Sequence, residues 1–424
     1  MSEHADLVVL NASELVTCAD GPEGPLRGDD LRAPGIVEDG GVAIVDGYIT
    51  AVGTSAEIDR RFDATRTIDA RGCAVVPGFV DPHTHLPWAG DRAAEFAQRL
   101  AGRSYQEIAA SGGGILSTVG ATRDASESEI RANVTRRLDR MLAWGTTTCE
   151  AKSGYGLELE AELKQLRALA AAAADHPVDV VATLLAAHET PAEHRADPER
   201  YLDLVCSEIV PAAAAEGLAR YCDVFCERGV FSAAQSRRVL EAGLEHGLRP
   251  RLHADEFADS HGAELAADLG ALTADHLMAV SDRGIEALAA SATIAGLLPG
   301  TSFFLKTRLY APARRLIDAG IPVTLATDCN PGSSHTESLP MIFWLAVLEL
   351  HMTVEEALTA ITLNAACSLE LGDEVGTIEA GKQADFVLLE GASLDNLAYH
   401  FGVHPITVVV KRGTVAYRKA EAER

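Results

Sequence analysis

Pro77-Gly78-Phe79-Val80-Asp81-Pro82-His83-Thr84-His85 is the stretch on which the reading of this chain turns. Preceded by Ala74-Val75-Val76, it is an apolar strand that ends in two imidazoles at i and i+2. Alternate strand residues share a face, so both rings can bind one metal ion. On a solvent-facing strand the same tripeptide is merely two surface histidines, so the rest of the chain has to decide.

Outward from this segment, apolar runs alternate with helical patterns. Eight strand candidates fall at 74–85, 146–152, 178–188, 221–227, 248–255, 271–277, 293–298 and 321–328. Helical stretches lie between them at 158–174, 198–215, 232–246 and 260–269, with apolar residues near the 3.6 period. Asp197-Pro198 reads as an N-cap followed by a first-turn proline. Eight strand-helix repeats predict an α/β fold, a (β/α)8 TIM-type barrel over 74–370. The flanks, residues 1–73 and 371–424, hold short β-rich segments punctuated by Gly and Asp. Neither flank can bury both faces of a sheet, so the two are expected to combine into one small β-sandwich-like domain. The connection from 86 to 145 is long and contains Ser111-Gly112-Gly113-Gly114, a segment that is either a mobile or ligand-approaching loop or simple punctuation.

Composition narrows the class. With 424 residues and 47% hydrophobic content the chain can bury a large core. Its longest apolar runs fall short of the roughly 20 residues that span a bilayer, and the first residues are acidic, so the expectation is a cytoplasmic protein with no membrane partner. A net charge of −26 argues against nucleic acid, which calls for clustered Lys and Arg, and means that an anionic substrate needs a specific local cation. Eight scattered cysteines suit a reduced intracellular protein and no disulfide framework.

In a barrel the active site forms at the C-terminal ends of the strands. That filter leaves His83 and His85 on the first strand, His188 on the third, His253 with Asp255 and Glu256 on the fifth, His276 on the sixth, and Asp328-Cys329-Asn330 on the eighth. So many imidazoles and carboxylates side by side are costly to bury unless a cation neutralises some of them. His83, His85, His253 and Asp328 make an N3O set suited to one zinc or iron ion per subunit, with room for water. The fourth strand ends Asp223-Val224-Phe225-Cys226-Glu227 without the lysine that bridges two metals in dinuclear barrels, so a single ion is favoured; Glu227 reads as an ion-paired strand-end carboxylate before a second-metal ligand. The other nine histidines read as surface or capping residues.

These residues, with Gly381-Lys382-Gln383-Ala384-Asp385 in the C-terminal flank, resemble the amidohydrolase superfamily. Gly90-Asp91-Arg92, Ser111-Gly112-Gly113-Gly114-Ile115, Glu150-Ala151-Lys152-Ser153-Gly154-Tyr155-Gly156-Leu157, His253-Ala254-Asp255-Glu256, Ala274-Asp275-His276-Leu277 and Asp328-Cys329-Asn330-Pro331-Gly332-Ser333 narrow the resemblance to its imidazolonepropionase family. The resemblance implies ring opening of 4-imidazolone-5-propanoate to N-formimidoyl-L-glutamate by water attacking a cyclic amide carbonyl, with His83, His85, His253 and Asp328 on the metal. Glu256 is the first choice to activate the water, with Asp328 sharing the proton; a solvated loop carboxylate is the alternative. His276 either stabilises the oxyanion or orients Glu256. The substrate propionate calls for a cation, and Arg92 can fork onto it bidentately, whereas Arg99 and Arg103 read as surface residues. By resemblance Tyr155 and His188 hydrogen-bond the substrate, and Asn330, Gly332 and Ser333 line its other side. Pro87-Trp88 departs from the family pattern and is expected to reshape the pocket wall. Rival readings are a deaminase or other cyclic amidohydrolase on the same metal set, a non-catalytic scaffold, and a purely structural metal. A homodimer is the expected assembly.

Overall fold

The computed structural model describes residues 2–103, 107–108 and 112–420; Ser111 of the glycine-rich segment lies outside them. The N-terminal flank forms β1 (Glu3–Val16), β2 (Ile36–Val45), β3 (Tyr48–Thr54), β4 (Phe62–Asp69) and β5 (Cys73–Pro77). Barrel strands follow as β6 (Phe79–Asp81), β7 (Thr146–Lys152), β8 (Asp179–Ala187), β9 (Tyr221–Cys226), β10 (Arg249–Pro250) with β11 (Leu252–Ala254), β12 (Thr273–His276), β13 (Ile294–Leu297) and β14 (Val323–Leu325). The C-terminal flank supplies β15 (Phe386–Glu390), β16 (Ile406–Lys411) and β17 (Thr414–Arg418).

The barrel strands run parallel in the order β6-β7-β8-β9-β11-β12-β13-β14. Closure comes just beyond the first and last strands. Thr84 and Cys329 form a parallel bridge, the Asp328 N–H donates to the His83 carbonyl at 3.0 Å, and the His85 N–H donates to the Cys329 carbonyl at 3.0 Å. Asp81 adds a side-chain tie, accepting from the Thr327 N–H at 3.1 Å and its hydroxyl at 2.6 Å. The barrel is thus sealed at the level of the candidate site.

The expected first strand, 74–85, is in fact two strands in two sheets. Cys73–Pro77 pairs with β1 and β15 in the sheet of the flanks, and only Phe79–Asp81 enters the barrel. Gly78 is the joint: a Cβ there would lie 2.3 Å from the Thr147 hydroxyl on β7, so the chain passes where only glycine fits. The second sheet has eight strands in the order β17-β16-β15-β5-β1-β2-β3, with β4 beside β1. Period-two alternation splits its strands between two cores. Val75, Phe386, Leu388, Val408 and Val410 fill the sheet's own cluster, while Ala74, Val76, Val387, Leu389 and Val409 join the barrel-helix core. The small sheet is therefore welded to the barrel by its own back face.

Most helices lie within a residue or two of the periodicity reading. Ala233–Glu245 begins with a Ser232/Gln235 capping box, and Pro198 follows the Asp197 cap. The expected single helix over 198–215 instead contains a π-helical turn at Val205–Ile209, just ahead of Pro211, whose missing N–H the wider turn absorbs. Among the described residues no helix is long and apolar enough to cross a membrane.

Candidate metal centre and active site

Between His83 and His85, Thr84 faces the other way. Its N–H donates to Glu150 Oε2 at 3.1 Å and its hydroxyl to the Glu150 carbonyl at 2.6 Å, which fixes the alternation that turns both imidazoles inward. His83 and His253 are oriented from behind by carboxylates. His83 Nδ1 donates to Asp275 Oδ2 at 2.7 Å, and His253 Nδ1 to Asp223 Oδ1 at 3.1 Å. Occupying Nδ1 in this way leaves the Nε2 lone pair as the outward-facing atom.

Each orienting carboxylate meets a buried cation. Lys152 Nζ lies 2.8 Å from Asp223 Oδ2 and 2.9 Å from Glu150 Oε1, and Arg251 lies 3.8 Å from Asp275 while donating to the Pro82 and Ser368 carbonyls. Burial alone would raise Asp223, but the charges of His253 and Lys152 outweigh it and hold its carboxyl well below the usual value. Asp275, whose cation is farther away, is pushed up by burial against Arg251 and Lys152.

Above this ladder the four candidate ligands come close to one another. His85 Nε2 is 3.4 Å from His253 Nε2 and 3.4 Å from Asp328 Oδ1, which is 3.6 Å from His83 Nε2. A tetrahedral ion with ligands at about 2.0–2.1 Å has ligand-ligand edges of about 3.4 Å. Burial, with neighbouring imidazoles and Lys152 adding to it, keeps His83 and His85 well below the usual histidine value, so they are neutral. His83 Nε2 is buried without a hydrogen-bond partner. A cation satisfies all of these atoms, so the residues fit a metal ion. Thr301 orients Asp328 by donating to Oδ2 at 2.6 Å, which leaves Oδ1 toward the histidines. His276, near His83 and Asp328, offers a further nitrogen.

The cluster opens into a cavity of about 360 Å³ lined by His85, Arg92, Tyr155, His188, His253, Glu256, His276, Asp328, Asn330 and Ser333 among others. His83 lies beneath it. His188 Nδ1 donates to the Gly154 carbonyl at 3.0 Å, and its ring stacks on His85 at 5.2 Å. Glu256 Oε2 and His276 Nε2 stand 3.8 Å apart. Burial, then the charges of Asp328 and Glu227, push the Glu256 carboxyl well above the usual range, and burial pulls His276 down to about 3. Burial thus works against charge on both members of the pair.

Arg92 is buried at the cavity wall, with Nε donating to Glu95 Oε2 at 2.8 Å. Gly332 is not in the wall. It lies behind Arg92, where a Cβ would come within 2.0 Å of Nη1, so its bareness seats the guanidinium. Glu95 also accepts from the Gly114 N–H at 3.2 Å, and Gly113 lines the cavity. The glycine-rich loop thus reaches the site through its last two residues. Asn330 folds its turn, accepting from the Gly332 and Ser333 N–H groups at 2.8 Å each.

Four expectations are corrected. Trp88 is not in the cavity wall; its ring is 1% exposed and turned away under the Arg137 guanidinium. Among the described residues Glu227 has no ion-pair partner; it accepts from the Phe257 N–H at 2.8 Å and the Arg228 N–H at 2.7 Å, anchoring the loop that follows Glu256. Asp255 is not in the site; it accepts from the N–H groups of Ser260, Gly262 and Ala263 at the start of the next helix. Arg99 is half-buried, stacked on Phe96 and Phe304, and donates to the Gly332 carbonyl at 3.2 Å.

Sequence reasoning passed over Glu95, Thr301, Glu189 and Arg195, the last two of which line the cavity. Glu95 had a signal, its place three residues after Arg92 at a helix start. Asp255, His276 and Asp328 all have φ between +51° and +80°. Such backbone costs of order 1–3 kcal/mol per residue and gathers at functional sites.

The Amidohydrolase family model matches residues 74–416. The chain is 50% identical to an imidazolonepropionase of Symbiobacterium thermophilum, covering 99% of each chain. With an imidazolonepropionase of Geobacillus sp. it shares 48% identity over 97% of this chain and 98% of the relative. Among solved structures, an adenosine deaminase from Xanthomonas campestris with bound zinc is 21% identical, with a TM-score of 0.71 covering 98% of this chain and 93% of that one. The guanine deaminase of E. coli is 17% identical, with a TM-score of 0.73 covering 99% and 100%. At these identities the structural likeness establishes the fold alone.

Proposed function

The chain belongs to the amidohydrolase family and, within it, to the imidazolonepropionases, and from that premise we propose how its residues open a ring. The reaction is hydrolytic: water adds across the cyclic amide C–N bond of 4-imidazolone-5-propanoate, giving N-formimidoyl-L-glutamate in histidine degradation. The observation that carries the assignment of roles is the grouping of the His83, His85 and His253 ligand atoms, with Asp328 Oδ1 3.4 Å from His85 Nε2 and 3.6 Å from His83 Nε2, beside Glu256, His276 and a buried arginine.

His83, His85, His253 and Asp328 hold one metal ion, zinc or iron. When bound, it supplies electrostatic activation of a water and of the carbonyl it attacks. Glu256 takes the proton of the attacking water. Its high proton affinity, set by burial beside Asp328, suits it to keep that proton and pass it on. His276, neutral at working pH, donates an N–H hydrogen bond to the oxygen on which negative charge develops. Collapse of the tetrahedral species breaks the C–N bond, and the departing nitrogen receives the proton from Glu256. Asp328, tied to Thr301 through Oδ2, stays a ligand and leaves the proton transfer to Glu256.

Arg92 receives the propionate, and its seat between Glu95 and Gly332 fixes the guanidinium in advance. Tyr155 and His188 bound the ring on one side, with Asn330 and Ser333 on the other. The test is loss of the ring chromophore with freshly generated 4-imidazolone-5-propanoate. Glu256→Gln is expected to abolish turnover with metal still bound, and Arg92→Ala to raise KM far more than it lowers kcat. Turnover by Glu256→Gln close to wild type would overturn the proton assignment.

A further inference from the structure

Trp88, turned away from the catalytic cavity, leads to a second hollow. It measures about 180 Å³ and is lined by Trp88, Asn133, Arg136, Arg137, Arg140 and His335, with Gly90 at its edge. The arginines project from the helix Glu127–Ala143 at i, i+1 and i+4, one face of two turns. Asp139, three residues after Arg136 on the same helix, faces His176 at 3.3 Å, and no carboxylate sits four residues before or after any of the three arginines.

Their partners do not neutralise them. Arg137 lies with its guanidinium 3.2 Å from the Trp88 ring centroid, and its Nη1 donates to the Leu86 carbonyl at 2.6 Å and the Trp88 carbonyl at 3.0 Å. Those contacts orient the charge and leave it uncompensated. Arg136 donates to the Asn133 side-chain oxygen, a neutral partner. Arg140 pairs with Glu337 at 3.1 Å. Glu337 is the one carboxylate bonded to the cluster among the described residues, and Asp91 bears on His335 from farther away. Three guanidinium groups thus share one ion-paired carboxylate, in a protein of net charge −26. Burial also pushes Arg137 down to about 10, the mark of a guanidinium that has lost water and gained no strong counter-charge.

We propose that this crevice binds a small tetrahedral oxyanion of the sulfate or phosphate class, at a site distinct from the catalytic cavity. Planar guanidinium forks match oxyanion edges, and Arg137 is already held in place by the indole and two carbonyls, so little side-chain freedom is lost on binding. The site lies behind the 86–92 loop, whose Leu86 and Trp88 carbonyls Arg137 holds.

The test is calorimetric titration of the full, metal-loaded chain with inorganic sulfate, and separately inorganic phosphate, at ionic strength held constant with chloride. Saturable 1:1 binding is expected, with Kd rising about tenfold or more in Arg136→Gln and in Arg140→Gln, since a charge-assisted hydrogen bond is lost in each. Both residues are exposed, so the fold should survive; thermal unfolding checks this. Arg92→Ala, which removes the propionate-binding cation from the catalytic cavity and spares the crevice, is expected to leave the titration unchanged. No saturable heat in wild type would overturn the site. So would binding lost in Arg92→Ala and kept in both helix variants, which would place the anion in the catalytic cavity. Tight binding of succinate with none of sulfate or phosphate would overturn the tetrahedral assignment.

Discussion

In the flanking sheet, Val75, Phe386, Leu388, Val408 and Val410 fill the interior with apolar side chains at period two. At equally buried positions in the barrel, Glu150, Lys152, Asp223, Arg251 and Asp275 place charges. Both regions are built from strands, and both are buried. The sheet is held by non-directional burial, at roughly 25 cal/mol per Å² of apolar area. The barrel interior depends on matched partners, because an uncompensated buried charge costs several kcal/mol. The matching runs upward from Glu150-Lys152-Asp223 and Arg251-Asp275 and stops at His83 Nε2, which is buried with no partner. A chain of satisfied charges that ends at an unpartnered imidazole nitrogen suits a cation.

Substitutions should break this comparison unevenly. The largest effect is expected from His253→Ala or Asp328→Ala. Loss of a direct ligand should reduce kcat/KM by more than the roughly 10- to 100-fold that an outer partner costs, with metal content falling in parallel and the flanking sheet still folded by circular dichroism. Lys152→Met leaves Glu150 and Asp223 without their cation. It should lower unfolding stability by about 3–5 kcal/mol in denaturant titration. Leu388→Ala, in the sheet, should cost about 2–5 kcal/mol of stability with kcat/KM per folded molecule unchanged. A large activity loss there would erase the division of labour between the regions.

Asp275→Asn keeps the shape behind His83 and removes the charge. A loss of roughly 10- to 100-fold in metal affinity, read by competition with a chelator, is expected. The smallest effect is pH-dependent and sits between the regions, where Glu356 accepts from Arg32 of the N-terminal flank at 2.9 Å and from Arg314 at 2.9 Å. Burial alone would raise its carboxyl, but Arg314, the Thr353 N–H and Arg32 outweigh it and hold it below 4.5. The wild-type advantage over Glu356→Gln, about 1.5–3 kcal/mol for bonds to a charged group, is therefore full above pH 4.5. It should fade as the pH falls through the lowered folded value.

Much of this is legible in the sequence. The barrel shows because strands buried on both faces read as continuous apolar runs, and the imidazoles show because they stand where those runs end. What stays hidden depends on which surface a run meets. Nothing local says that Cys73–Pro77 belongs to one sheet and Phe79–Asp81 to another; Thr147, far along the chain, makes Gly78 the joint. The apolar runs overextend the strands at Asp255 and Asp328, where the backbone turns left-handed. Resemblance assigns Gly332 to the substrate, whereas its room is taken by Arg92 from the opposite end of the barrel sequence. Position in the chain, just after the histidines, assigns Trp88 to the cavity, but a partner on the helix Glu127–Ala143 draws it the other way.

The central claim is that one metal ion, held by His83, His85, His253 and Asp328, is required for ring opening. Chelator-stripped protein titrated with zinc, and separately with ferrous iron, tests it most directly, with loss of the 4-imidazolone-5-propanoate chromophore read at each addition. Activity should rise linearly from near zero and level off at one equivalent, and Asp328→Ala should neither bind the ion tightly nor recover. Full activity in the stripped protein, or a rise that continues to two equivalents, would contradict the account.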